Sequence, residues 1–267
     1  ATRIACEQIR ERLVAVAARH FGCAPEAVRI ADGLATADGS GQPPLPWAKL
    51  TQQAYLARVS LAASGYYRTE GLEWDPVAVR GHPFKYFVYA AAATEVELDA
   101  FTGATAVRRV DIVYDGGDRI SPLVDLGQVE GGFVQGLGWM TIEDLRWDHG
   151  DGPGRGRLLT RSASTYKLPG VGEMPPVLNV EFLADATEDG AVYGSKAMGE
   201  PPLMLALSVR EAIREAVAAF GAPGEPIELP LPSTPEAVFW AIRAARVTAS
   251  AEPGAAPEQE PEPVGRP

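Results

Sequence analysis

Apolar residues recur at intervals of three and four over residues 2–20, at Ala5, Cys6, Ile9, Leu13, Val16 and Ala17, and so share one face of an expected helix. The spacing returns over 47–64, through Leu50, Ala54 and Leu61. It appears again after Pro201-Pro202, where Val209, Ala212, Ile213, Ala216, Val217 and Phe220 line one face and Gly221 and Pro223 end it. Ser233-Thr234 ahead of Pro235 reads as the cap and first turn of a last helix through Ile242. Period-two segments lie between these. Val88, Ala90, Ala92, Thr94, Val96 and Leu98 alternate with Tyr89, Glu95, Glu97 and Asp99; after a turn at 100–103, Val107, Val110, Ile112 and Tyr114 supply a second strand, so a hairpin with one solvated face is expected. Residues 177–183 alternate as a further strand, whereas 31–46 and 148–157, rich in Gly, Pro and Asp, read as turns with an extended connection and as a surface loop.

Helical spacing also runs through 127–145, at Val129, Phe133 and Met140, but Gly131, Gly132, Gly136 and Gly138 interrupt it, each costing ~1 kcal/mol against alanine in a helix interior. Close approach of another backbone or of a bound cofactor would account for them. Taken together the elements indicate an α+β domain, mixed sheets with flanking helices packed mainly on one face, over residues 1–248. From residue 249 to 267 the chain is Ala, Pro, Gly and Glu, and reads as a disordered acidic, proline-rich tail.

Of the 267 residues 46% are apolar, enough for a real core, and the net charge of −11 argues against a phosphate-binding surface, so no nucleic acid is expected as a partner. Two cysteines, Cys6 and Cys23, without a Cys-x-x-Cys pair or a Cys/His cluster, indicate neither a disulfide framework nor a metal or iron–sulfur site, and fit a reducing cytoplasm. The longest apolar run, 86–93, is too short to span a membrane, and a soluble cytoplasmic protein is expected. A chain that starts at Ala1 and enters an amphipathic helix almost at once looks like a cut made inside a larger polypeptide.

No dinucleotide fingerprint, phosphate-binding loop or His-Glu-x-x-His run is present, and His20, His82 and His149 are scattered, which favours surface or structural roles for them. Glu200 follows Gly199 and precedes Pro201-Pro202; a proline there disfavours the αR region for Glu200 and would hold its carboxylate at a rigid strand-to-helix junction, as a positioned base requires. A helix-start glutamate favoured by the helix dipole is the competing reading. Gln128, in Gly127-Gln-Val-Glu-Gly-Gly132, offers donors and an acceptor among glycines that permit close approach, and is equally a polar helix-start residue.

Five segments taken in order decide between these readings. Ser64-Gly-Tyr-Tyr-Arg-Thr69, His82-Pro-Phe-Lys-Tyr-Phe87 with Thr94-Glu-Val-Glu-Leu-Asp99, Val124-Asp-Leu-Gly-Gln-Val-Glu-Gly-Gly-Phe-Val-Gln-Gly-Leu-Gly138, Ser164-Thr-Tyr-Lys-Leu-Pro169 and Gly194-Ser-Lys-Ala-Met-Gly-Glu-Pro-Pro202 resemble the C-terminal part of the molybdenum-binding subunit of the xanthine dehydrogenase and aldehyde oxidase family. Met198 stands where valine is more usual. The resemblance implies a molybdopterin cofactor and an enzyme that oxidises hypoxanthine and xanthine toward urate, in which Glu200 is the general base that takes a proton from Mo–OH as hydride passes to Mo=S. It also implies that Gln128 contacts the cofactor, while no residue of this chain ligates the metal. FAD and two [2Fe-2S] clusters are expected elsewhere in the complete enzyme. The expected partners are a small-molecule purine, the remainder of the molybdenum subunit and the part carrying FAD and iron–sulfur clusters, in an oligomer. An aldehyde or another N-heterocycle as substrate, and a non-catalytic assembly domain, are the alternatives, and the fragment is expected to be inactive alone.

Overall fold

The computed structural model describes residues 1–250, so the acidic tail expected over 249–267 lies, from 251 on, outside the described residues. The chain forms two compact units, Ala1–Lys85 and Tyr86–Pro267.

In the first unit α1 (Thr2–Phe21) buries Leu13, Val16, Ala17, Ala18 and Phe21. Cys6, expected on that face, is exposed, because the covered stripe occupies only the C-terminal half of the helix. Where a connection was expected, the chain forms a three-stranded antiparallel sheet from β1 (Val28–Ala31), β2 (Leu34–Ala37) and β3 (Leu45–Pro46). Its first turn is Asp32-Gly33, with φ of 50° and 74°, the two successive positive values of a type I′ hairpin. Ala35 and Leu45 from this sheet pack with Leu50 and Ala54 of α2 (Trp47–Leu56). That helix stops well short of the expected residue 64: Arg58 takes φ 58° and the Val59 amide donates back to the Ala54 carbonyl at 2.9 Å, closing the end in a left-handed turn. A short exposed hairpin, β4 (Glu73–Asp75) with β5 (Arg80–His82), follows.

The second unit is built on a mixed sheet of β6 (Ala90–Leu98), β7 (Thr105–Tyr114) and β8 (Val177–Phe182), with β6 antiparallel and β8 parallel to the central β7. The expected hairpin forms, with one irregularity: Glu95 pairs with Arg109 but Val96 pairs with Val107, leaving Arg108 as an extra residue. That bulge lets Val107, out of phase with Val110, Ile112 and Tyr114, join them in the core. The other face carries charge, with Arg109 on Asp111 at 2.6 Å and Asn179 donating to Asp111 at 2.7 Å. Three helices, α3 (Pro122–Thr141), α4 (Leu207–Ala218) and α5 (Pro235–Ser250), contribute Val129, Phe133, Val209, Ile213, Val238 and Ile242 to the same core. Full burial of each such side chain contributes roughly 1.5–3 kcal/mol.

Four of the five glycines of α3 divide into two kinds, the fifth, Gly138, lying against Glu143 and Pro169. A side chain at Gly136 would overlap the Leu203 carbonyl and sit 2.7 Å from Ala206 Cβ, and one at Gly132 would sit 2.9 Å from the Gly199 carbonyl and 3.1 Å from Pro202 Cβ. These two therefore let the 3₁₀ helix Pro201–Ala206 lie directly on α3, whereas Gly127 and Gly131 face open space. We expect Gly136→Ala to destabilise the protein by about 1–3 kcal/mol through overpacking. Gly131→Ala, exposed in the same helix, should instead be neutral or stabilise by up to about 1 kcal/mol, a contrast readable by thermal unfolding.

Candidate functional site

Glu200 sits between two anchored stretches. On its N-terminal side, 194–198 is fastened to the end of β7 and the residues after it. Gly194 accepts from the Asp118 amide at 2.9 Å, Ser195 bridges to Gly117, and the Lys196 amide donates to Gly116 at 2.9 Å. The Tyr114 hydroxyl donates to the Ala197 carbonyl at 2.7 Å, and Met198 is buried against Gly116. Burial pushes the Tyr114 phenol well above its ordinary range, so it stays a neutral donor. On the C-terminal side, Pro202 and Ala206 are buried on the glycine face of α3.

Two expectations for Glu200 need correction. It has φ −91° and ψ −40°, inside αR despite the following proline, and an irregular segment, not a strand, leads into it. The local preference against αR yields because the Glu200 carbonyl accepts from the Leu203 amide at 3.2 Å and opens the 3₁₀ helix that packs on α3. The helix itself begins as 3₁₀, with α4 starting only at Leu207. Glu200 is exposed, and its side chain makes no cap hydrogen bond, ion pair or other hydrogen bond among the described residues.

Gln128, one turn before Gly132 on α3, is exposed, and its side chain has no hydrogen-bond partner among the described residues. Its Oε1 comes within 3.1 Å of where a Cβ on Gly199 would stand, so the fold brings Gln128 to the residue next to Glu200. Gly199 thus lies against Gln128 and directly before Glu200, with Gly127 and Gly131 leaving the adjoining helix surface bare.

Sequence reasoning missed the charge cluster beneath this run. Lys196 Nζ lies 2.6 Å from Asp115 Oδ2 and 3.5 Å from Glu188 Oε2, donates to the Phe87 carbonyl at 3.2 Å, and stands 5.6 Å from the centre of the Tyr89 ring. The Lys196 side chain is 7% exposed and that of Asp115 11%. The hydrogen bond it donates to Asp115 holds the Lys196 ammonium above the ordinary lysine range. The available signal was a lysine enclosed between Gly194 and Gly199; its partner is 81 residues away.

His20 meets Phe21 edge-on at 5.0 Å, and all three histidines are exposed. No group of three or more His, Cys, Asp or Glu that could hold a metal ion occurs among the described residues, and no described helix is long and apolar enough to cross a membrane. A cavity of about 310 Å³ lies at the C-terminal end of α3, lined by Leu137, Thr141, Met174 and Ser233 among others, and includes neither Gln128 nor Glu200.

Residues 1–175 match the family model described as molybdopterin cofactor-binding domain. The chain belongs to that family. Xanthine dehydrogenase/oxidase of Rattus norvegicus is 43% identical over 202 residues, which are 74% of this chain and 15% of that protein. Aldehyde oxidase 1 of Oryctolagus cuniculus is 42% identical over 200 residues, 73% of this chain and 14% of the relative. Among solved structures, quinoline 2-oxidoreductase from Pseudomonas putida 86 is similar with a TM-score of 0.59 and 26% identity, covering 90% of this chain and 28% of that one. The chain thus spans about a seventh of the length of these curated relatives. The expected α+β class and the molybdenum hydroxylase resemblance both hold.

The open face of this molybdopterin cofactor-binding domain suits such a group. It offers an amide and a carboxylate without side-chain partners among the described residues, beside bare helix backbone. Beneath it, Lys196→Met would leave Asp115 buried and unpaired, at an expected cost of about 3 kcal/mol. Because the folded-state Lys196 pKa is raised, its contribution is complete below the unfolded lysine value of ~10.4 and is lost as pH rises through the higher folded value. The stability difference between wild type and the variant, measured by chemical denaturation, should therefore narrow only above that pH.

Proposed function

We propose that this chain supplies the general base and one cofactor contact to a molybdenum hydroxylase that oxidises hypoxanthine and xanthine toward urate. One observation carries the reading: the Gln128 amide, within the residues that match the molybdopterin cofactor-binding domain, approaches Gly199, so an amide and the carboxylate of the next residue, neither used by the fold itself, stand at neighbouring positions next to open helix backbone. The cofactor, when bound, supplies the redox chemistry. Gln128 has both donors and an acceptor with which to hold it against the Gly127 and Gly131 surface. Glu200, when ionised, is acceptor-only, so its Oε atoms take the proton released as an oxygen nucleophile attacks an electron-poor substrate carbon. The fixed backbone on either side of Glu200 limits where that proton can be received. FAD and the two [2Fe-2S] clusters are assigned to other parts of the complete enzyme, and the remainder of the molybdenum subunit to the rest of the pocket.

The aldehyde oxidase relative, at nearly the same identity as the xanthine dehydrogenase one, supports a second reading in which the same base acts on an aldehyde or another N-heterocycle. Comparing kcat/KM for xanthine and for an aromatic aldehyde in the full-length enzyme separates the two, with xanthine expected to lead. In that enzyme Glu200→Gln is expected to lower kcat by the ~10²–10⁴-fold of general-base catalysis with molybdenum content unchanged. Near-normal turnover with molybdenum still bound would eliminate the base role.

A further inference from the structure

The charge cluster under the 194–200 run belongs to none of the roles above, and its place suggests one. Lys196 is four residues before Glu200, and its ammonium is enclosed by groups from three separate stretches: Asp115 just past β7, Glu188 from the loop after β8, and the Phe87 carbonyl with the Tyr89 ring from the entry to β6. Tyr114 and Gly116, on either side of Asp115, hold Ala197 and the Lys196 backbone. Charge and backbone contacts thus converge on one short run, which ends where Gly199 meets Gln128. Holding loop residues together could be done by apolar packing, as Met198 already does against Gly116. A buried ion pair adds little stability over an apolar replacement but fixes direction and register through its hydrogen bonds.

We propose that Lys196, clasped by Asp115, is a positioning residue that sets the location of the Glu200 carboxylate for proton transfer. The inference rests on Glu200 being the base. It predicts a specific dependence: loosening the clasp matters to turnover only while Glu200 is there to be misplaced.

The test is a double-substitution cycle in the full-length holoenzyme, comparing wild type, Lys196→Met, Glu200→Gln and the pair, with turnover expressed per bound molybdenum and thermal unfolding recorded alongside. Lys196→Met is expected to lower kcat per molybdenum by up to about 10²-fold, the scale of a 1 Å misplacement, with KM little changed. It should add no further loss in the Glu200→Gln background, because residues acting as one unit are non-additive. Lys196→Arg, which keeps the charge, should recover part of the lost kcat. Unchanged kcat per molybdenum in Lys196→Met, or the same factor lost in both backgrounds, would overturn the proposal and leave Lys196 a purely structural residue. If Glu200→Gln alone leaves turnover intact, the base assignment falls and this inference with it. Should Lys196→Met fail to fold, Asp115→Asn, which keeps the shape of the partner and removes its charge, runs through the same cycle: a kcat loss that disappears in the Glu200→Gln background supports the clasp, and an equal loss in both backgrounds overturns it.

Discussion

The close seating of the Pro201–Ala206 3₁₀ helix on α3 is the contact on which the geometry around Glu200 depends. It is possible only because Gly132 and Gly136 present no side chains, so the Leu203 carbonyl and the Pro202 ring can approach the helix directly. The helix gives up roughly 1 kcal/mol of intrinsic preference at each glycine. In return the turn that carries Glu200 rests on the centre of a core that also holds Val129, Phe133, Val209 and Ile213. A carboxylate on a free loop would have no fixed relation to Gln128; here the turn that carries Glu200 is seated on the helix that carries Gln128.

The second constraint comes from the opposite side of the run. Residues 194–198 are tied to 114–118 by backbone hydrogen bonds, by the Tyr114 hydroxyl and by the Lys196–Asp115 pair. The end of a central strand and the packed face of a half-buried helix therefore hold Glu200 between them, while Glu200 and Gln128 remain exposed. Such a division, rigid backbone beneath and unsatisfied polar groups above, is what a site for an external group requires.

How much of this was legible in the sequence depended on the range of the forces involved. Helix α1, the β6–β7 hairpin and α4 follow from periodicity, since one buried face dictates each pattern. The β1–β2 hairpin was hidden because its strands are four residues long and its turn, Asp32-Gly33, reads equally as loop. The end of α2 at Arg58 depends on a left-handed turn at a residue type that seldom adopts one. Glu200 in αR contradicts the local rule for a residue before proline because tertiary packing of the next six residues outweighs it. Of the glycines in α3, the sequence suggested that something approaches closely; only the structure separates Gly132 and Gly136, which face backbone, from Gly127 and Gly131, which face nothing. Local physics left Glu200 and Gln128 as candidates with a bland alternative and only the family resemblance decided for them, whereas Lys196 and Asp115, far apart in the chain, needed coordinates to be seen as a pair.

In the proposed function, the surface around Gly199 is the place where the cofactor is received. A structure of the full-length enzyme with its molybdenum cofactor bound would test this most directly. The expected result is a polar cofactor atom within hydrogen-bond distance of the Gln128 amide, about 2.7–3.2 Å, with the Glu200 carboxylate turned toward the metal. A cofactor bound elsewhere, with Gln128 and Glu200 covered by other parts of the protein, would contradict it.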